Sequence, residues 1–497
     1  MLKDLRDWIA LLEREGELVR VSAEVDPDLE ITEIVDRTVK AGGPALLFEN
    51  PKGAEHPLVI NQFGTERRMC LAFGVDSLDD VAAKITDVLE MQPPAGLLEK
   101  VRGLQKLKSV ADSRPKSVKK GACQEIVLRG DDVDLTKLPI QRCWPGDPAP
   151  FITLPAVITH DPQTGGRNVG MYRMQVIDKN TTFMHWQIHK DGRADQLATD
   201  GRIEVAVALG LDPITAYSAS APLPKHIDEF MLAGFLRGEP VELVKGVSVD
   251  VEVPARAEIV LEGYIEKDEV GEEGPFGDHT GYYTAAEPFP VFHLTAMTMR
   301  RDAVYPSIVV GKPPQEDAWL GKATERIFLP AVKMTVPEIV DYDLPVAGAF
   351  HNLAIVSIRK AFPGHARKVM HAIWGLGMLS LTKGIVVVDE HVDVHDYEQV
   401  MFYVGANVDP KRDVVITEGP LDHLDHAPTL QFVGGKIGID ATAKSPAEGA
   451  REWPEEIAMS TEVKELVDRR WAEYGLATDP SAANGDFRQS SRRLLRG

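Results

Sequence analysis

The run EGPFGDHTGYY, Glu273 to Tyr283, sets two carboxylates, Glu273 and Asp278, five residues apart around a Gly-Pro-Phe-Gly turn, with a histidine and two tyrosines directly behind. Two nearby carboxylates can be driven to different pKa values, one kept as an acid and one as an anion, which is the raw material of acid–base chemistry. Gly274, Pro275 and Gly277 break any regular element, because proline fixes φ and lacks a donor while glycine tolerates positive φ. The backbone must turn sharply there. Glu273 stands just beyond a β-like run, EIVLEGYIE (Glu258 to Glu266), at the end of the acidic KDEVGEE, so its carboxylate and that of Asp278 can converge across the turn. The same composition would also serve a solvated acidic hairpin or a calcium loop, so this segment alone does not decide.

A second constellation comprises Asn168-Val169-Gly170-Met171-Tyr172-Arg173 and the run Thr182 to His189, TFMHWQIH. Arginine presents a planar fork suited to bidentate binding of a carboxylate, whether side chain or substrate, so Arg173 is a candidate to bridge Glu273 and a ligand. Asn168, His189 and a later carboxylate such as Glu229, in the helical stretch HIDEFMLAGFLRG, offer oxygen and nitrogen ligands that suit manganese or magnesium better than a thiolate-preferring metal. Each residue alone has a plainer use: Asn168 in a turn, His189 at a strand end, Glu229 on the wet face of its helix.

These residues need a scaffold. Leu5, Trp8, Ile9 and Leu12 recur at helical spacing, and Gly16 ends that helix before a strand at Leu18 to Val21. A second helix, Leu29 to Lys40, stops at Gly42-Gly43 and feeds the strand ALLF. The basic stretch Lys106 to Lys120, with Pro115, reads as a connector. From about Val127 to Val310 strand signals dominate (FITLPAVIT, YRMQVI, IEVAVAL, EIVLEGYI, VFHLTAMTM), predicting a barrel-like β domain with few helices. After about Ala318, LAIVSI, HARKVMHAIWG, GIVVVDE and DVVIT alternate strand and helix, an α/β pattern, and the tail from Asp479 reads as disordered.

Composition narrows the class. At 497 residues the chain has room for two or three domains, and 76 acidic against 55 basic residues give a net charge of −21. That balance, with a pI near 5.2, argues against a nucleic-acid partner, whose phosphates need a basic face. Cys70, Cys123 and Cys143 make an odd count without C-x-x-C spacing, which points to a reducing cytoplasm and makes the sequon Asn180-Thr181-Thr182 accidental. MLKDLRDW lacks an apolar signal core, and no apolar run approaches the ~18 residues needed to span a bilayer, so no integral membrane segment is expected.

The stretches LRDWIALLEREGELVRV (Leu5 to Val21), DPDLEITEIVDRTVKAGGPALLFENPKG (Asp26 to Gly53), GDDVDLTKLPI, CWPGDPAPFIT, NVGMYR, EIVLEGYIE, EGPFGDHTGYY, GHARKVM and GIDATAK together carry a resemblance. The chain resembles the UbiD-type, prenylated-FMN-dependent carboxy-lyases, and within them the polyprenyl-hydroxybenzoate decarboxylase branch, over nearly everything except the C-terminal tail. The resemblance implies an α+β fold: a small N-terminal α/β region (1–120), a central split β-barrel that binds the flavin (121–317), a C-terminal α/β oligomerisation domain (318–478) and the tail (479–497). It also implies a charged triad of Arg173, Glu273 and Asp278 over the flavin. Asn168, His189 and Glu229 would hold a divalent cation, usually manganese, against the cofactor phosphate. Met171, Tyr172, Arg173 and Gln187 would line the cofactor, Lys383 would approach its phosphate, and backbone around Ala219, Ser220, Ala221 and Pro222 would lie beside the phosphate and a monovalent cation, K+. Where ferulic-type members carry a second glutamate this chain has Asp278, whose shorter arm argues against acrylic-acid chemistry.

On that resemblance, Arg173 orients the substrate carboxylate, Asp278 returns the proton, and His279 faces the substrate or orients Asp278. The expected protein is a cytoplasmic homodimer or larger homo-oligomer, such as a hexamer, that decarboxylates an aromatic hydroxy acid in quinone biosynthesis and receives its cofactor from a flavin prenyltransferase. Other readings are a decarboxylase of another aryl, heteroaryl or polycyclic acid, an FMN-dependent oxidoreductase, and a non-catalytic scaffold subunit, which should show a broken triad. His391 and His395 have metal-like spacing in DEHVDVHD, but the preceding VVVD reads as a strand end and Asp396 as a helix cap, and His423 and His426 read as surface or interface residues. There is no P-loop lysine, dinucleotide fingerprint or nucleophile elbow.

Overall fold

The computed structural model describes residues 2–89, 112–187, 191–225 and 227–476, so His189, the first part of the basic connector and the tail from Asp479 lie outside the described residues. The chain divides into two compact units, Met1–Pro330 and Ala331–Gly497.

The first unit opens as its periodicity predicts. Leu5–Arg14 is a helix capped by the Asp4 carboxylate, which accepts from Arg6 and Asp7 N–H groups, and it buries Leu5, Trp8, Ile9 and Leu12. Gly16 takes φ +72° and the strand Leu18–Val25 follows. The second helix, Glu30–Lys40, starts one residue later than expected because Leu29 adopts φ 72°, outside the helical region. The strands Leu18–Val25, Ala45–Pro51 and Leu58–Ile60 form a sheet completed by Tyr305–Pro306, which ties the N-terminal segment to the far end of the central region.

The largest sheet of this unit is seven-stranded and antiparallel. Its order is Thr181–Phe183, Glu287–Met299, Ile259–Glu273, Arg202–Leu209, Ala156–His160 and Arg167–Gly170, with Ile126–Arg129 also pairing to Glu287–Met299. Among the described residues it does not close on itself. Both faces are covered, as period-two alternation requires: Ile203, Val205, Val207 and Leu209 enter one core, and Ala206 and Ala208 enter another with Phe230 and Ala233 of the helix Glu229–Arg237.

Two expected strands are broken. FITLPAVIT divides at Leu154-Pro155 into Phe151–Ile152 and Ala156–His160, which belong to different sheets, since proline has no N–H for a ladder. Only Met174–Gln175 of YRMQVI is strand. Conversely, the strand over EIVLEGYIE does not stop at Glu266. It runs to Glu273 through the acidic KDEVGEE, because Val270 to Glu273 pair with Pro290 to Glu287 beyond a register shift.

The second unit is α/β. Its five-stranded sheet has the order Ile339–Asp343, Leu353–Ile358, Gly384–Asp389, Val433–Asp440 and Val414–Pro420, with its three inner strands parallel. The helix His365–Trp374 lies over HARKVMHAIW, and Asp396 caps the helix Tyr397–Asn407, so DEHVDVHD is a strand end and a helix start. Among the described residues no helix is long and apolar enough to cross a membrane.

Candidate active site

The long strand Ile259–Glu273 and the strand Glu287–Met299 form a hairpin, and the loop that closes it contains the Gly-Pro-Phe-Gly turn. Glu273 is the last rung of the ladder, opposite Glu287. Arg173 leaves the chain three residues after the strand Arg167–Gly170 and reaches both acids of the turn. Its Nε donates to Glu273 Oε1 at 2.9 Å, its Nη1 to Asp278 Oδ2 at 2.5 Å, and its Nη2 to Thr284 Oγ1 at 3.3 Å. The guanidinium also lies 4.3 Å from the centroid of the Phe276 ring.

Each carboxylate has a second partner. His185 Nδ1 lies 2.7 Å from Glu273 Oε2, and His279 Nδ1 lies 2.7 Å from Asp278 Oδ1, which also accepts from the His279 N–H. Burial resists ionisation of Glu273, but Arg173 and His185 outweigh it and hold the carboxyl below the usual range. Burial resists ionisation of Asp278 too, and its bonds to His279 and Arg173 hold it well below the carboxylate range. Burial and the Arg173 charge lower the His185 pKa, so that ring is neutral and donates from Nδ1. The arrangement can bind a substrate carboxylate at the arginine and exchange a proton at an adjoining acid.

Of the predicted metal ligands, Asn168 lies on the same run of chain as Arg173, Glu229 is hydrogen-bonded to that run, and His189 is outside the described residues. Glu229, the first residue of its helix, accepts from the Val169 N–H through Oε2 at 2.9 Å, beside Asn168. Burial pushes the Glu229 carboxyl up to about 7. The Asn168 amide donates to Thr159 Oγ1 at 3.3 Å and the side chain lies beside the Tyr172 hydroxyl. Met171 N–H donates to Ala219 O at 2.9 Å, which brings the Ala219–Pro222 backbone to the same run. The Gln187 amide meets His185 Nε2 at 3.2 Å. Lys383 belongs to the second unit, where its amine meets Asp425 at 2.7 Å.

Sequence models of three 3-octaprenyl-4-hydroxybenzoate carboxy-lyase domains match this chain: the N-terminal domain at 9–106, the Rift-related domain at 115–313 and the C-terminal domain at 318–441. An uncharacterized protein of Archaeoglobus fulgidus is 55% identical over 477 residues, 95% of this chain and 98% of its own length. The chain belongs to the UbiD family of carboxy-lyases. It is therefore an enzyme of the decarboxylase class. The UbiD-class enzyme HmfF from Pelotomaculum thermopropionicum, solved in complex with FMN, has 31% identity and a TM-score of 0.77, covering 92% of this chain and 97% of that one. The vanillic acid decarboxylase of Sedimentibacter hydroxybenzoicus, in its closed form, has 27% identity and a TM-score of 0.84, covering 95% and 99%.

Several neighbours of this UbiD site had no role in the sequence reading. His185 was visible two residues before Gln187, but nothing local marked it as a partner of Glu273. Gln175 accepts from the Gly274 N–H at 2.7 Å, and Asp147 accepts from Gly277 N–H and Trp144 N–H at 2.9 Å each. Asp317, whose carboxyl is pushed up to about 6 by burial, feels both His279 and Asp278. Trp144 wedges between two glycines: a Cβ on Gly277 would sit 2.1 Å from its Cδ1, and one on Gly311 2.5 Å from its Cζ2, while Nε1 donates to Val310 O at 2.7 Å. The indole cannot move aside. Gly277→Ala should therefore lower unfolding free energy by about 1–3 kcal/mol in urea titration; an unchanged midpoint would show that the turn is not packed this way.

Proposed function

We propose that this enzyme removes carbon dioxide, non-oxidatively and reversibly, from an aromatic hydroxy acid, with prenylated FMN as cofactor. The observation that carries this reading is one arginine fork held between two buried carboxylates, each of which spends a single oxygen on it. Loss of carbon dioxide leaves an electron pair on carbon that no side chain accepts well; prenylated FMN, when bound, supplies the sink.

The protein's own residues orient the acid and manage the proton. Arg173 takes the substrate carboxylate by turning part of its fork from Asp278. With that hold weakened, burial favours the neutral form of Asp278, which takes up a proton. Asp278 delivers it to the carbon that has lost carbon dioxide and returns as an anion to Arg173.

The donor chemistry fits the cofactor and its cation. Glu229 is a buried carboxylate raised to about 7, which a cation would compensate, and Asn168 adds a hard oxygen. Asn168, Glu229 and His189 would hold Mn2+. Backbone at Ala219, Ser220, Ala221 and Pro222 would face the phosphate and K+, with Met171, Tyr172 and Gln187 along the flavin. Lys383, engaged by Asp425, joins this set on the resemblance alone. The open seven-stranded sheet would be the split, flavin-binding barrel. Exposed apolar residues of the second unit, including Ile416 at 71% and Met401 at 63%, support a homodimer or larger homo-oligomer. We place the enzyme in the cytoplasm, supplied by a flavin prenyltransferase, with quinone biosynthesis as its setting.

The test is anaerobic purification after co-expression with a flavin prenyltransferase, mass spectrometry of the released small molecule, and assay of carbon dioxide from hydroxybenzoic acids. Prenylated FMN, manganese and carbon dioxide release are expected. Plain FMN with consumption of a reductant would replace this reading by an oxidoreductase.

A further inference from the structure

Asn168 is held by a buried series of hydrogen bonds that ends on a charge. Its amide donates to Thr159 Oγ1 at 3.3 Å, and the Thr159 hydroxyl donates to Asp195 Oδ2 at 2.9 Å. Thr159 and Asn168 face each other across paired strands, while Asp195 comes from the helix Asp191–Ala198. Thr159 and Asp195 are fully buried. The other oxygen of Asp195, Oδ1, lies 3.2 Å from Lys225 Nζ, on the chain just beyond Ala219–Pro222, and that charge opposes the pull of burial toward the neutral acid. The same helix reaches the Tyr172 hydroxyl, which lies beside both the Gly192 N–H and the Asn168 side chain.

An asparagine amide has two ends of nearly equal shape, and only its oxygen can ligate a cation. A threonine hydroxyl by itself does not tell those ends apart, because it can donate to the oxygen or accept from the nitrogen. Asp195 removes that freedom. An ionised carboxylate only accepts, so it takes the single hydroxyl hydrogen of Thr159 and leaves the Thr159 oxygen to accept in turn. That oxygen receives the Asn168 NH2 and would repel the Asn168 carbonyl. We propose that Asp195 and Thr159 are positioning residues of the cation site: the carboxylate sets the direction of the hydroxyl, and the hydroxyl holds the Asn168 amide by its nitrogen, so that its oxygen is the end free to take the metal. Outer partners of this kind orient a ligand and tune its affinity without touching the ion.

This inference rests on the proposed metal site, and the outcomes tell the two apart. Chelator-treated full-length protein, with FMN in excess, is titrated with Mn2+, and free Mn2+ is read by electron paramagnetic resonance. Thr159→Val, which keeps the shape and loses the hydroxyl, should weaken Mn2+ binding about ten- to a hundredfold, the range for a lost outer partner of a metal ligand. Thr159→Ser, which keeps the hydroxyl, should bind nearly as wild type does. In Asp195→Asn, Lys225 draws the new carbonyl to itself and turns the new NH2 toward Thr159. The hydroxyl must then donate to Asn168 and hold it by the wrong end, so affinity should fall by about tenfold or more although the side chain is isosteric. Wild-type affinity in Thr159→Val or Asp195→Asn, or equal weakening in Thr159→Ser and Thr159→Val, overturns the inference alone. Urea unfolding without metal separates positioning from packing: variants that lose stability there yet keep their Mn2+ affinity would make Thr159 and Asp195 purely structural and refute it too. Wild type that takes up no divalent cation would bring down the metal site itself, and this inference with it.

Discussion

Arg173→Ala is expected to lower kcat/KM by about a thousandfold or more, equivalent to about 4 kcal/mol of transition-state stabilisation. The same side chain helps keep Glu273 and Asp278 ionised and, in the proposed mechanism, would also receive the substrate acid. Breaking a buried pair costs about 3–5 kcal/mol when the abandoned group must stay charged, but a carboxyl can escape by taking a proton. The stability loss therefore has a pH signature. In the wild type the depressed acids contribute stability that is present above their unfolded pKa and lost as pH falls. Removing the arginine takes away its share of that contribution and leaves buried acids that take up protons, an uptake that costs more the higher the pH, so the variant should differ from wild type more at pH 8 than at pH 4. Urea unfolding at both pH values and steady-state kinetics check the two halves. Glu273→Gln should be inactive for the related reason that a neutral amide cannot balance the guanidinium. Near-normal turnover in either variant would remove the triad from the mechanism.

Glu229→Ala should empty the site of metal and flavin together, each by more than about tenfold, the scale seen when a metal's surroundings are disturbed. Glu229 is buried, its Oε2 fixed on Val169 N–H, and does not swing in solvent. In the proposed site both the cation and the flavin phosphate would depend on its charge, since each would compensate the other. Metal analysis and flavin absorbance of the purified variant, beside wild type dialysed against a chelator, read this directly. Full flavin content in the variant would reject the proposed metal site.

Local features were the legible ones. Leu5, Trp8, Ile9 and Leu12 read correctly as one helical face because burial there follows the 3.6 period, and Gly16 and Asp396 read correctly because turns and caps are made by neighbours in sequence. FITLPAVIT misled because apolarity continues across Leu154-Pro155 while the ladder does not. KDEVGEE misled in the other direction: its strand is held by backbone pairing to residues 287–290, which its charged side chains do not advertise. The approach of Glu273 to Asp278 was legible in the turn between them and Arg173 offered itself as a partner for Glu273, but the meeting of all three as one set came only through resemblance to a family. The acids lie 100 and 105 residues beyond the arginine, and only the sheet brings them together. Gln175, Asp147 and His185 stayed hidden for that reason, since a polar residue's partner across a sheet leaves no local trace.

The register shift in the hairpin has a consequence for how this site can vary. Between Ile265↔Phe292 and Val270↔Pro290, four residues of one strand oppose one of the other. Because side chains alternate along a strand, the number of residues in that bulge decides which face Glu273 presents four rungs later. Parity, and not only identity, is thus under constraint. Removing one residue from the bulge would leave every catalytic side chain in the protein yet turn the glutamate away from Arg173, whereas changes that come in pairs would preserve its aim.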